Sequence, residues 1–82
     1  MSSQYIDYRR LSYLGDRVKA GVANKQEKDE FISLLYQNGS ISTNQYNNYR
    51  NNQDVDEILK AALAVGVVVL IGYLLKEIFS NK

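Results

Sequence analysis

Residues 58–79 read ILKAALAVGVVVLIGYLLKEIF, and this stretch decides the fold of the 82-residue chain. No charged residue occurs between Lys60 and Lys76, and Tyr73 supplies the one polar side-chain atom in that interval. As an α-helix, residues 61–75 measure about 22 Å, and apolar residues beyond the two lysines extend this length to about 33 Å. The hydrocarbon core of a bilayer is about 30 Å thick. The stretch therefore predicts one transmembrane helix.

The composition of this stretch favours insertion into a membrane. Most of residues 61–75 are Leu, Ile or Val, and together they contribute about −3 to −5 kcal/mol to insertion. A lysine costs about 2.5–3.5 kcal/mol at the bilayer centre and less near an edge, where Lys60 and Lys76 lie. With Tyr73 and Phe79, these lysines are the predicted membrane-interface residues. The predicted transmembrane residues are Ala61, Leu63, Val65, Val67, Val68, Val69, Leu70, Ile71, Leu74 and Leu75.

A buried helix in a soluble bundle is the alternative interpretation, because uncharged runs of about 10–14 residues usually have that role. This run is longer, and it is apolar on all sides, without a polar stripe. A helix of that kind needs a large protein or a membrane around it. The rest of the chain is too short to surround it, so the transmembrane interpretation is preferred.

The first of three shorter helices is predicted at residues 3–20, where apolar side chains recur every three or four positions on one face. Ser3 is its predicted N-cap, and Gly21 is its predicted stop. Gly15 lies inside the pattern and costs about 1 kcal/mol relative to alanine, so the helix can break there.

The second and third helices are predicted at residues 25–37 and 43–50, with Gly39 between them. The charged residues 27–30 are predicted to face solvent. Both helices, and the long helix after them, are expected to begin at capping boxes. The predicted boxes pair Asn24 with Glu27, Ser42 with Gln45 and Asp54 with Glu57.

The chain is therefore predicted to be all-α, with a small helical-hairpin head of about three helices followed by one long transmembrane helix. The head covers residues 1–53. The transmembrane helix, with its capped and charged first turn, covers residues 54–79, and residues 80–82 form a short tail.

Composition narrows the range of functions. The chain has no Cys and no His, which excludes disulfides, thiolate chemistry, imidazole bases and the usual zinc sites. Its net charge of +1 gives no bias towards nucleic acid. The carboxylates at residues 29–30 and 54–57 lack supporting ligands, and solvation or capping explains them. We expect no enzyme activity, no cofactor, no metal, no nucleic-acid partner and no small-molecule substrate.

Two sets of residues are candidates for contacts with other helices or proteins. Ala62 and Gly66 lie four apart in the long helix, so they are predicted helix–helix packing residues at which a second helix can approach closely. The other set consists of tyrosines in the head, because so small a domain buries few large side chains and surface tyrosines are good interface anchors. The partner-binding candidates are Tyr5, Tyr8, Tyr13, Tyr36, Tyr46 and Tyr49.

Residues 31–50, FISLLYQNGSISTNQYNNYR, resemble the short helical hairpin called the SHOCT domain. The matching residues are Leu34, Leu35, Gly39, Ile41, Ser42 and Tyr46, with Gln45 where that family has an acidic residue. The resemblance implies oligomerisation or partner binding, and no activity. The whole layout is similar to small single-span minor structural proteins of bacteriophages with an internal membrane, which tie the bilayer to the capsid shell.

These expectations combine into one hypothesis: a single-span protein anchored in a lipid bilayer, whose head binds a protein assembly such as a capsid or coat, or further copies of itself. The head is expected on the cytoplasmic side, because the N-terminal residues show no signal peptide, and a virion membrane is the most concrete location. The first alternative is a holin-like or toxin-like membrane-permeabilising protein. The second is a soluble helical subunit whose apolar helix is buried in a larger complex.

Overall fold

The computed structural model describes residues 7–80, with side chains for residues 7–76, and within them it has four helices and no strand. The helices are α1 (Tyr8–Ala20), α2 (Lys25–Gln37), α3 (Thr43–Arg50) and α4 (Val55–Ser80). Among these described helices, α4 is the one that is long and apolar enough to cross a membrane, over Val55–Lys76. The predicted all-α class and the predicted long C-terminal helix are confirmed. We call α1, α2 and α3 the head helices.

Helix α1 begins later than the sequence pattern predicts. Asp7 has an extended backbone and caps the helix, because its side-chain oxygen accepts the backbone N–H groups of Arg9 (3.1 Å) and Arg10 (3.2 Å). The predicted start at residue 3 is therefore wrong, and the predicted cap Ser3 lies outside the described residues. The predicted stop at Gly21 is confirmed.

Helices α2 and α3 begin at the predicted capping boxes. The Asn24 side chain accepts the backbone N–H of Glu27 at 2.8 Å, and the Glu27 carboxylate accepts the backbone N–H of Asn24 at 3.1 Å. Ser42 and Gln45 form the same reciprocal pair, with both bonds at 3.0 Å. The third predicted box is wrong. Asp54 has a left-handed backbone (φ 53°), and no capping box forms at the start of α4 in the described chain.

The three head helices end in the same hydrogen-bonding motif. Gly21 and Gly39 each have φ 77°, and Asn52 has φ 61°, so each turns the chain through the left-handed region. The amide after each of them donates to a carbonyl five residues earlier: Val22 to Arg17 (3.1 Å), Ser40 to Leu35 (2.9 Å) and Gln53 to Asn48 (2.8 Å). This is the Schellman motif, which favours glycine or asparagine at the turning residue. The connections are therefore short, and the helices fold back on one another.

One hydrophobic core joins all four helices. Its buried side chains are Leu11, Leu14, Phe31, Ile32, Leu35, Ile41, Tyr49, Ile58, Leu59 and Ala62. The last three belong to α4. The predicted boundary between head and transmembrane helix at residues 53–54 therefore lies inside one packed unit.

Phe31 of α2 lies where α1 and α4 approach each other. A Cβ atom placed on Gly15 would lie 3.4 Å from the ring atom Cε1, and one placed on Gly66 would lie 3.5 Å from Cζ. The ring therefore lies at van der Waals distance from the place of a methyl group on each neighbouring helix, so a longer side chain at either position would meet it. Helix α1 runs through Gly15 without a break, because the helix is packed on this ring.

Polar side chains join the head helices to one another. The contacts between helices are Arg10 to Glu30 (2.7 and 2.8 Å), Arg17 to Glu27 (2.8 Å) and Tyr49 to Asp29 (2.7 Å). The side chain of Glu27 is mostly covered, whereas those of Asp29 and Glu30 stay 44% and 38% exposed, so the prediction of a solvated side missed the contacts of these carboxylates with other helices. A partly exposed ion pair contributes about 0–1 kcal/mol. These contacts therefore fix the orientation of the helices more than they stabilise the fold.

We expect Phe31→Ala to lower the free energy of unfolding by about 3–5 kcal/mol, because it removes a buried ring from the junction of three helices. Phe31→Leu retains more of the apolar volume and should lower the free energy of unfolding clearly less. Urea unfolding of the full chain, followed by circular dichroism, measures both losses. Equal losses for the two variants would show that the ring does not fill the junction as described.

Gly39→Ala and Gly72→Ala should change stability in opposite directions. Gly39 has φ 77°, a conformation that costs a residue with a Cβ atom about 1–2 kcal/mol. Gly72 lies inside α4 with nothing within 4 Å of an added Cβ, so alanine should stabilise the helix by about 0.5–1 kcal/mol. Thermal unfolding should show a lower midpoint for the first variant and a higher one for the second. Shifts in the same direction would contradict this account.

Candidate membrane-binding surface

The outward face of α4 changes from charged to aliphatic along its length. Near the start of the helix this face carries Asp56, Glu57 and Lys60, all of them exposed. One turn later it becomes apolar, and we call this part the aliphatic stripe: Ala64, Val67, Val68, Ile71, Leu74 and Leu75. In the stripe Val68 is 68% exposed. A surface helix of a soluble protein normally carries polar residues on its outward face, so the stripe is a candidate surface for contact with lipid or with a partner.

The opposite face of α4 packs on the head helices. Its buried or partly covered residues are Ile58, Leu59, Ala62, Leu63, Gly66, Val69, Leu70 and Tyr73. Tyr73 stacks on Tyr8 of α1, with ring centres 4.1 Å apart and an angle of 14° between the ring planes. Helix α1 therefore accompanies α4 as far as Tyr73.

The predicted transmembrane residues are divided between these two faces. The exposed ones are Val67, Val68, Ile71, Leu74 and Leu75, and the half-buried ones are Ala61, Leu63, Val65, Val69 and Leu70. Among the predicted membrane-interface residues, Lys60 and Lys76 are exposed, whereas Tyr73 contacts α1. The side chain of Phe79 lies outside the described residues. The structure therefore brings only one side of the predicted segment to the surface.

Ala62 and Gly66, the predicted helix–helix packing pair, pack inside the chain. Ala62 is fully buried, and Gly66 faces the ring of Phe31. The pair allows a close approach between helices, and the helices that approach belong to the same chain. In this arrangement the pair offers no free surface to a second copy.

Most of the candidate tyrosines contact other parts of the chain. The rings of Tyr36 and Tyr46 stack with their centres 4.2 Å apart. Tyr49 is buried in the core, and Tyr8 is the residue stacked on α4. Tyr5 lies outside the described residues. Packing within the chain therefore accounts for four of the six candidates.

Tyr13 is different, because 47% of it is exposed. The guanidinium carbons of Arg10 and Arg17 lie 5.3 and 5.7 Å from the centre of its ring. Arginine over an aromatic face is a favourable cation–π arrangement. The ring and the two arginines form an exposed cluster on α1, and we call it the Tyr13 cluster.

A groove of about 290 Å³ lies between α1 and α4, beside the aliphatic stripe. Residues that line it include Leu11, Gly15, Phe31, Leu63, Gly66 and Leu70. Ser12, Asp16 and Lys19 also line it from α1, and Val67 belongs to both the groove and the stripe. The apolar surface therefore continues from the stripe into the groove.

A polar cleft of about 530 Å³ is lined by residues of α2 and α3, by Asn52 after α3 and by Val55 at the start of α4. Lys25, Asp29 and Arg50 are among its charged residues. The carboxylate of Asp29 accepts hydrogen bonds from Lys25 Nζ (2.8 Å) and from the hydroxyl of Tyr49 (2.7 Å). The acid in this cleft therefore holds α2 and α3 together.

Hydrogen bonds within α2 and between the head helices lower the pKa values of three carboxyl groups. Hydrogen bonds from Arg10 lower the pKa of Glu30. The hydrogen bond from Arg17, with one from the backbone of the helix cap, lowers the pKa of Glu27. Burial raises the pKa of Asp29, but two hydrogen bonds to its carboxylate outweigh burial, so the net pKa lies below the ordinary value. All three groups therefore favour the ionised form in the folded chain.

Sequence reasoning missed the groove and the glycine contacts around Phe31. The available signal was the position of Gly15 and Gly66, each a small residue on an apolar face of its helix.

Comparisons of the chain with protein-family models, with curated protein sequences and with solved structures found no match. The functional argument therefore rests on the surfaces of the chain itself.

Acid should destabilise the fold. The folded-state pKa values of Glu27, Asp29 and Glu30 are lowered, so the unfolded chain binds more protons as the pH falls below about 5. The stabilisation that these three carboxylates give to the fold is complete above about pH 5. It is lost as the pH falls through their folded-state pKa values. Urea midpoints at neutral pH and at about pH 3 measure the loss.

Glu30→Gln is the matched variant for this measurement. It removes one of the three lowered carboxyl groups, so its midpoint should be lower at neutral pH and should fall less in acid. An acid loss as large as that of the parent chain would show that Glu30 does not contribute.

Proposed function

We propose that this chain is a non-enzymatic, single-span membrane-anchored protein that links a protein assembly to a bilayer. Helix α4 is the anchor, and the head helices bind the assembly, for example a capsid or coat shell on the membrane of a virion. The observation that carries the proposal is the aliphatic stripe, an exposed apolar surface on a helix of membrane-spanning length.

Contact with lipid gives the stripe a favourable environment. Full burial of a Val, Leu or Ile side chain is worth about 1.5–3 kcal/mol. The large side chains of the stripe remain 47–68% exposed in the folded chain, so much of this free energy is not yet gained. Lipid can cover them without a specific partner, because they have no polar atoms. Lys60 and Lys76 are exposed towards the two ends of the segment and can extend to the headgroups.

The Tyr13 cluster supports a protein-binding role for the head helices. Tyrosine and arginine are enriched among the residues that dominate protein interfaces. Arg10 and Arg17 are held in place by Glu30 and Glu27, so the cluster is ordered before a partner arrives. Of the tyrosines proposed as partner-binding residues, Tyr13 is the one that we place at the centre of the interface.

The two alternatives are each addressed by a different observation. A holin-like protein would use Ala62 and Gly66 to associate, and in the packed chain, before any contact with lipid, this pair packs against the same chain instead. A soluble subunit is supported by the packing of α4 on the head helices as far as Tyr73. In that alternative a protein partner covers the aliphatic stripe.

Ile71→Lys tests the anchor. Ile71 lies in the stripe and is 51% exposed, so the folded chain should tolerate lysine there. In the bilayer the lysine costs about 2.5–3.5 kcal/mol, against about −3 to −5 kcal/mol from the aliphatic residues. We expect the parent chain and the control Ile71→Val to resist alkaline carbonate extraction from membranes, and a clearly larger fraction of Ile71→Lys to be extracted.

Circular dichroism of the purified variants shows whether the helices are retained. Extraction of the parent chain itself would support the soluble subunit instead of the anchor. If Ile71→Lys resists extraction as well as the parent, the stripe is not the surface that contacts lipid.

A further inference from the structure

Packing of the head helices on α4 opposes a full membrane span. Tyr8 stacks on Tyr73, and Gly15 and Gly66 lie on either side of the Phe31 ring. Residues 8–15 of α1 therefore lie beside residues 66–73 of α4, which is inside the segment predicted to cross the hydrocarbon. If residues 61–75 span the bilayer with these contacts intact, much of α1 enters the bilayer too.

The charges on the head helices make that arrangement unfavourable. Arg10 lies in α1 between the two contact points, and its partner Glu30 precedes Phe31 in α2. A charged side chain near the bilayer centre costs about 2.5–3.5 kcal/mol, and pairing does not remove the cost of taking both charges out of water. Two such charges cancel the whole of the roughly −3 to −5 kcal/mol supplied by the aliphatic residues. Arg17 and Glu27 add a second pair.

We infer that α4 exchanges the head helices for lipid when it enters a bilayer. This inference rests on the proposed membrane anchoring. In water the face of α4 that carries Gly66 packs on Phe31. In the bilayer, lipid replaces α1 and α2 along residues 61–75. The contacts that are lost, those of Ala62, Gly66 and Tyr73, are apolar or aromatic. Lipid can replace contacts of this kind, because they require no specific hydrogen-bond partner.

The contacts along α4 indicate where this helix separates from the head helices. Ile58 and Leu59 are buried in the core and precede Lys60, so they lie before the segment that enters the hydrocarbon. They can keep the base of α4 attached to the head helices. The ion pairs and the Tyr49–Asp29 bond join α1, α2 and α3 to one another, so they do not depend on α4. The separation therefore begins near Lys60.

Release of α4 uncovers an apolar surface on the head helices. Leu11, Gly15 and Phe31 line the groove that α4 closes on one side. In the proposed exchange, this surface becomes available to the protein assembly that the head helices bind.

Cross-linking tests the exchange, and the absence of cysteine from the chain makes the test specific. The double variant Tyr8→Cys/Tyr73→Cys places thiols on α1 and α4 at a stacked pair whose ring centres are 4.1 Å apart. A short bis-maleimide should join them efficiently in water. After insertion into phosphatidylcholine vesicles, the yield of linked protein should fall several-fold.

The matched control is Tyr36→Cys/Tyr46→Cys, at a stacked pair with ring centres 4.2 Å apart between α2 and α3. Its linking yield should be the same with and without vesicles, because the exchange leaves this pair in contact. If both pairs lose linking, the head helices come apart as a whole and the inference is wrong. If neither pair loses linking in carbonate-resistant protein, α4 crosses the bilayer with α1 attached, and the inference is also wrong.

The reverse experiment separates this inference from the proposed function. Tyr8→Cys/Tyr73→Cys protein is linked before vesicles are added, and the same variant blocked with N-ethylmaleimide serves as control. We expect the blocked protein to resist carbonate and the linked protein to be extracted. Equal resistance overturns the exchange while leaving the anchor intact. Extraction of both forms overturns the anchor, and the exchange with it.

Discussion

The position of the Phe31 ring between Gly15 of α1 and Gly66 of α4 constrains how the helices of this chain are arranged. Gly15 and Gly66 each weaken a helix by about 1 kcal/mol relative to alanine, and the space beside each of them ends at the same ring. A side chain much longer than a methyl group at either position would push its helix away. Because one ring contacts both helices, the positions of α1 and α4 relative to α2 depend on each other.

The chain uses two kinds of contact for two different purposes. Among the head helices, arginine–carboxylate pairs and the tyrosine–aspartate bond are directional, so they select one orientation. Along most of α4 the contacts with the head helices are apolar or aromatic, and apolar contacts depend on the area covered rather than on direction. The directional contacts can therefore keep the orientation of the head helices, which also share apolar core residues, while their apolar neighbour α4 is replaced.

Local signals were sufficient to predict where helices begin and end. The bounds of α2 and α3, the two capping boxes and the glycine stops depend on residues within a few positions of each other, and all were predicted correctly. The long apolar helix was also evident from the sequence. The start of α1 was missed because Asp7 and Ser3 are both good N-caps, and the choice between them depends on where the helix packs.

Features that depend on the tertiary arrangement were not predictable in the same way. The carboxylates of α2 look solvated in the sequence, and only the placement of α1 turns Glu27 and Glu30 into partners for arginine. Ala62 and Gly66 were recognised as a surface for a helix, but nothing local to α4 shows that the helix would come from the same chain. Asp54 and Glu57 have the spacing of a capping box, yet the left-handed backbone at Asp54 prevents it.

The packing of Ala62, Gly66 and Tyr73 of α4 on the head helices has a thermodynamic consequence. In the proposed exchange, membrane insertion and the packed state compete for the same helix, so their free energies are linked. An assembly that binds the released head helices more tightly than the packed ones must raise the affinity of α4 for lipid. By the same factor, the bilayer must raise the affinity of the head helices for that assembly. Such reciprocity would favour assembly at the membrane over assembly in solution, without any additional recognition of lipid by the partner.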